Sequence, residues 1–326
     1  MKNLLICPHT LNYGGSQLSI HHWAKYLRND YNIAILSSQK GGLSEKFESH
    51  YDVHYDSDEY PNVASFIQKL KPDIIHVCPG GGIDHAYIKE AARYAPVTQT
   101  VMCPRQAGNK KDVSMTIVPS EYSFSLQTNI TSTKLIHHPF DVSEYNPEAY
   151  DRKHFNLPLD KKIILSLGNA RKENTQFLTL AKTLKHRNDV HFVIRADIKQ
   201  PFWSNSQNLT IIKERVSEDE KMSLFNMADI FLYPTSNEAY GIVFLEAMSQ
   251  RTPIISYSDT AMPETIRNAG MLAPLGNLKE VSRLLTHLIN NEAQKTRLGN
   301  NGLQLIQTRN DPITIAQEYK NMFESI

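Results

Sequence analysis

The sequence has little cysteine: Cys7, Cys78 and Cys103 are its 3 in 326 residues. An odd number without CxxC spacing supplies neither a disulfide framework nor a zinc site, and it fits a reducing interior. It also lacks an excess of charge of one sign. Lys and Arg number 35 against 34 Asp and Glu. No global field therefore gathers polyanions, and the runs Lys110-Lys111, Lys161-Lys162 and Arg171-Lys172 are local. Nucleic acid is not an expected partner. No apolar run approaches the ~20 residues of a membrane span, and the opening MKNLLIC has an apolar patch of only about five residues, short of a signal h-region. The chain reads as cytoplasmic. Internal repeats and low-complexity tracts are lacking as well.

What is present is alternation. NLLIC, NIAILSS, DIIHVC, PVTQTV and SMTIVPS are short runs rich in Ile and Val, each followed by a stretch compatible with helix. Such an order predicts a parallel sheet covered by helices. The pattern stops across Pro139, Pro147 and Pro158 and restarts with KIILSLG, VHFVIRA, LTIIK, DIFLYP and TPIISY. At this length two domains are expected: a Rossmann-like domain over 1–140, a linker over 141–160 and a second such domain over 161–310. In the tail, 311–326, the apolar positions Ile313, Ala316, Tyr319 and Phe323 recur at helical steps behind Pro312. The second domain has its full set of elements without this helix, which is therefore expected to pack back on the first domain. The alternative is packing against the helix that precedes it.

The stretch TSNEAYGIVFLEAMSQRTPIIS holds Glu238 and Glu246 eight residues apart. A strand ends at Pro234, a loop carries Glu238, and a helix opening near Gly241 carries Glu246. Strand ends and helix N-termini converge where open α/β sheets bind ligands. Amides at a helix start donate to ligand oxygens, glycine lets the backbone come close, and carboxylates accept from vicinal hydroxyls such as those of sugars and riboses. The same spacing also fits solvated surface acids on a helix whose core face is Val243, Leu245 and Met248.

ADIFLYPTSNEAYGIVFLEAMSQRTPIISYSDTAMPETIRNAGMLAPLGN, residues 228–277, resembles the donor-binding region of the retaining GT-B glycosyltransferases of family 4, the glycosyl transferases group 1. It has the paired glutamates, the following Pro-apolar strand and the Pro-Glu before the next helix. The resemblance implies two facing Rossmann-like doubly wound domains with a cleft between them. It further implies transfer of a hexose-like sugar from a nucleotide diphosphate to a saccharide, glycan or lipid-linked acceptor, with retention and without a metal or other cofactor. A lipid-linked acceptor would bring peripheral contact with the inner face of a membrane. By the same resemblance Glu246 accepts from the ribose and Glu238 from the transferred sugar. Tyr240, Gly241, Ile242, Val243 and Phe244 offer amides to sugar and diphosphate, and Gly14 and Gly15 match the Gly-rich loop after the first strand.

The departures are informative. Where the family has Gly-Arg and then a Lys a few residues on, this chain has Gly168, Asn169, Arg171 and Lys172. Lys172 then stands as the phosphate lysine, with Arg171 compensating as a bidentate donor. Where many members carry a His near the reacting carbon, the chain has Met102 or Cys103, with His76 and Arg105 as nearby candidates. A metal motif in the DSD at 56–58 is not expected to operate. The missing Arg and His keep open two other readings, a GT-B nucleotide-sugar epimerase and a weakly catalytic nucleotide-sugar-binding protein.

Overall fold

The computed structural model describes residues 1–80, 83–128, 132–168, 171–196 and 207–326, with the side chains of 171–173 left out. The chain divides into two compact units, Met1–Asp141 with Asn310–Ile326, and Val142–Arg309.

The first unit contains strands β1 (Lys2–Pro8), β2 (Tyr31–Ser37), β3 (Asp52–Tyr55), β4 (Ile74–Cys78), β5 (Val97–Thr100), β6 (Met115–Val118) and β7 (Thr133–Leu135). They form a parallel sheet in the order β3-β2-β1-β4-β5-β6-β7. The central β1 and β4 are buried nearly throughout, as a strand covered on both faces must be. The terminal helix Pro312–Glu324 belongs to this unit, opened by the Asp311 side chain accepting from the Thr314 amide. Its buried face is Ile315, Ala316, Tyr319, Met322 and Phe323. Tyr319 stacks on Trp23 at 4.3 Å between ring centroids. Ile313, expected on that face, is 60% exposed. It follows Pro312 in the first turn, and the apolar stripe begins two residues later.

The second unit contains β8 (Lys162–Leu167), β9 (Val190–Arg195), β10 (Leu209–Ile212), β11 (Ile230–Leu232), β12 (Ile254–Ser258) and β13 (Gly270–Pro274). Its parallel sheet runs β10-β9-β8-β11-β12-β13. Strand order reverses between β8 and β11, which makes the carboxyl ends of these two strands the ligand-binding position of such a sheet.

The segment 141–160 is not a free linker. From Val142 onward it lies in the second unit. The Asn146 amide donates to Asp219 Oδ1 at 2.9 Å and the Tyr150 amide to Ser223 Oγ at 3.2 Å. Arg152 Nη1 donates to the carbonyls of Pro158 and Lys161 at 2.9 and 2.8 Å. Prolines erase the periodicity of this segment, but from Val142 onward its backbone and Arg152 make hydrogen bonds within the second unit.

Candidate active site

At the switch point of the second unit, β8 runs into Gly168. A Cβ there would lie 2.2 Å from Cε2 of Tyr233, the residue after β11. With glycine there, the Tyr233 ring can lie directly against the end of β8. Asn169 lies outside the described residues. Arg171 and Lys172 open the helix Arg171–Thr183, so their backbones stand just beyond this contact.

Asn237 in the loop after β11 and Thr260 in the loop after β12 both have positive φ, 64° and 46°. The Asn237 amide donates to Asp259 Oδ2 at 2.9 Å, and the Glu238 amide donates to Thr260 Oγ1 at 3.1 Å. The Glu238 loop is thus tied to the loop after β12. Positive φ is uncommon for a β-branched residue, and the hydroxyl of Thr260 is committed to holding Glu238. At the Glu238 side chain, Oε1 lies 3.5 Å from the Thr235 hydroxyl that points to it.

Gly241 caps the helix Ile242–Ser249 with φ 82°, a left-handed conformation that favours glycine. The amides of Gly241, Ile242 and Val243 head this helix. The Phe244 amide, expected among the ligand donors, instead donates to the Gly241 carbonyl at 3.0 Å. Its ring is wholly buried, whereas Val243, expected on the core face, is only half-buried. Tyr240 is held from its far side: its carbonyl accepts from Thr265 Oγ1 at 2.7 Å, and the Arg309 guanidinium sits 5.7 Å over its ring. Arg309 also donates to the carbonyls of Glu264 and Thr265 at 2.6 and 2.8 Å.

Glu246 is not a solvated surface acid. Its side chain is 6% exposed and Oε1 accepts from Lys221 Nζ at 2.6 Å. Lys221 stands on the helix Glu218–Met227, opened by a capping box between Ser217 and Glu220, and its ammonium also donates to Glu218 Oε2 at 2.8 Å. Burial raises the Glu246 carboxyl above its ordinary value, and Lys221 pulls against that rise. Burial likewise opposes the Lys221 charge, but Glu246 and then Glu218 outweigh it and push its pKa up to about 12. The ammonium is therefore the fixed charge of the cluster.

Other sequence candidates are dispersed. Gly14 and Gly15 lie in the first unit, at the turn into the helix Gly15–Ala24. Gly14 is extended, and a Cβ there would meet only the Gln17 side-chain oxygen at 2.5 Å, so backbone geometry does not demand glycine. His76 is excluded from chemistry at the surface. It is wholly buried on β4, hydrogen-bonded to Thr98 and Thr100 at 2.8 and 3.1 Å, with its ring 5.7 Å from that of Tyr319. Met102 packs against the first core, and Cys103 is half-buried. Asp56 of the DSD accepts from the amide and side chain of Asn62, both at 2.9 Å, and so caps a turn. Lys221, Thr260, Thr265 and Arg309 were not legible as site residues, because each acts through a tertiary contact.

Residues 148–305 match the family model described as glycosyl transferases group 1. The capsular polysaccharide biosynthesis glycosyltransferase CapM of Staphylococcus aureus is 25% identical over 126 residues, 38% of this chain and 32% of that protein. The processive diacylglycerol alpha-glucosyltransferase of Acholeplasma laidlawii is 25% identical over 183 residues, 52% of this chain and 53% of that protein. The chain thus matches between a third and about half the length of these curated relatives. Among solved structures, HepE of Anabaena in complex with UDP superposes with a TM-score of 0.78 at 15% identity, over 99% of this chain and 100% of that one. A glycosyltransferase from Rickettsia africae superposes with a TM-score of 0.82 at 15% identity, over 99% of this chain and 98% of that one. At such identity the likeness is one of fold: the chain has two Rossmann-like units, as its GT-B glycosyltransferase neighbours do, and residues 148–305 are similar to the glycosyl transferases group 1.

Proposed function

We propose that the protein is a retaining, metal-independent glycosyltransferase that moves a sugar from a nucleotide diphosphate to a saccharide, glycan or lipid-linked glycan. The observation that carries this reading is that Gly168, at the β8 end of the switch point, lies under the Tyr233 ring, which in turn lies 6.0 Å from the ring of Phe244 on the helix that starts behind left-handed Gly241 and carries the buried carboxylate Glu246. In this reading Glu246 accepts from the ribose hydroxyls and Glu238 from the transferred sugar. The amides heading the helix Ile242–Ser249, with Lys172 and Arg171, meet the charge that grows on the diphosphate as its bond to the sugar breaks. The acceptor attacks from the leaving-group face and gives its proton to the departing phosphate, so no protein nucleophile is required. The first unit is assigned to acceptor recognition. Among the described residues no helix is long and apolar enough to cross a membrane. The proposed location is cytoplasmic, with peripheral membrane contact where the acceptor is lipid-linked.

Two substitutions separate the glutamates. Glu246→Gln is expected to weaken binding of the nucleoside diphosphate by roughly 1.5–3 kcal/mol, the worth of charge-assisted hydrogen bonds, measured by calorimetry. Glu238→Ala is expected to lower turnover of the donor while leaving affinity for the free nucleoside diphosphate near that of the native protein. Unchanged affinity in the first variant, or equal losses with donor and nucleotide in the second, would put the acid at the wrong end of the ligand.

A further inference from the structure

We propose that Lys221 is a positioning residue of the donor site: its ammonium, shared between Glu218 and Glu246, fixes one oxygen of Glu246 and leaves the other to accept from a nucleotide's ribose hydroxyls. The proposal rests on the reading that Glu246 meets the ribose. Its own basis is geometric. Nζ lies 2.6 Å from Glu246 Oε1 and 2.8 Å from Glu218 Oε2, with side-chain exposures of 17% for Lys221 and 6% for Glu246. A carboxylate this buried without a cation would take up a proton and become a donor at one oxygen, a poorer partner for a diol. Glu218 anchors the ammonium from its own helix and keeps it from swinging into the ligand. Among the described residues, the charged groups acting on the Glu246 carboxyl are Lys221 and Glu218, both from the helix Glu218–Met227. The helix Glu292–Thr308 packs instead against the helix Ile242–Ser249 that carries Glu246, with Gly302 beside Met248.

The consequence is a pH signature. Burial already raises the Glu246 carboxyl, and Lys221 is what opposes that rise. Its removal moves the titration further up, so the accepting carboxylate is lost as pH falls through a higher value than in the native protein.

The test is calorimetric binding of whichever of UDP, GDP, ADP and CDP binds the native protein tightest, across a pH series. Lys221→Met is expected to need a pH about 1–3 units higher for equal affinity, the range for loss of an adjacent opposite charge. Lys221→Arg is expected to restore the native profile, and Glu246→Gln to bind weakly with no such dependence. A buried charge left unpaired destabilises the fold. Lys221→Gln, which keeps a donor without the charge, therefore replaces Lys221→Met where circular dichroism shows that the latter has not folded. If the folded Lys221 variant follows the native profile while Glu246→Gln is weak, Lys221 does not position the carboxylate and the ribose reading stands. If Lys221→Met loses affinity equally at every pH, its role is structural and the proposal fails. If Glu246→Gln binds like the native protein, or none of the four nucleotides binds, the ribose reading itself fails, and the positioning role with it.

Discussion

A chain ending at Asn310 is expected to lose the native fold of its first unit. The helix Pro312–Glu324 is part of the core of that unit rather than a strap laid over it. Ile315, Tyr319, Met322 and Phe323 are each at most 1% exposed, and Trp23, against which Tyr319 stacks, is 0% exposed. Burying one such side chain is worth about 1.5–3 kcal/mol. Four of them are therefore comparable with the roughly 5–15 kcal/mol that holds a typical domain together. The truncation also uncovers the Trp23 and His76 rings and removes the Tyr319 hydroxyl, 3.3 Å from Thr100 Oγ1. Near-ultraviolet circular dichroism and limited proteolysis report the result directly. Loss of the aromatic signal with rapid cleavage within 1–141 is expected, and a truncated chain with native melting would contradict this account of the core.

Acid is expected to unfold the first unit at a pH where most proteins of this size remain folded. Among its buried imidazoles, three are held neutral by burial. Burial lowers the pKa of His22, His76 and His138 from 6.5 to about 3 each. They are neutral in the fold, while the unfolded chain takes up their protons below about 6.5. The unfolded state thus binds more protons between those limits, and stability falls as pH drops through that window. The slope is about 1.4 kcal/mol per pH unit for each imidazole, or about 4 kcal/mol per unit for three at full difference. Above about pH 6.5 these groups contribute no slope. Denaturant titrations across the window, with imidazole resonances followed by NMR, check both parts. Imidazoles that titrate near 6.5 in the folded protein would contradict the assignment.

Legibility in the sequence followed burial. The strands β1, β2, β4, β5 and β6 show as Ile- and Val-rich runs because both their faces are covered. DVHY of β3, TKL of β7 and GMLAP of β13 are short edge strands, partly exposed, and they carry no such run. The terminal helix was legible as a stripe, although its first apolar residue, Ile313, lies off it. The glutamates were legible as a pair, but their environments were not. Nothing local distinguishes Glu246, buried against a lysine 25 positions away, from a solvated acid. Likewise the positive φ of Thr260 has no local signal, and its hydroxyl is engaged across two loops by the Glu238 amide.

The most direct test of the central claim is turnover. The protein is incubated with a panel of labelled nucleotide sugars, with and without saccharide and lipid-linked acceptors, in the presence of EDTA. The proposed function requires release of nucleoside diphosphate that depends on acceptor, with the label appearing in the acceptor and the anomeric configuration retained. Sugar isomerisation without acceptor, saturable binding with neither reaction, or activity that returns only on adding a divalent metal would each contradict it.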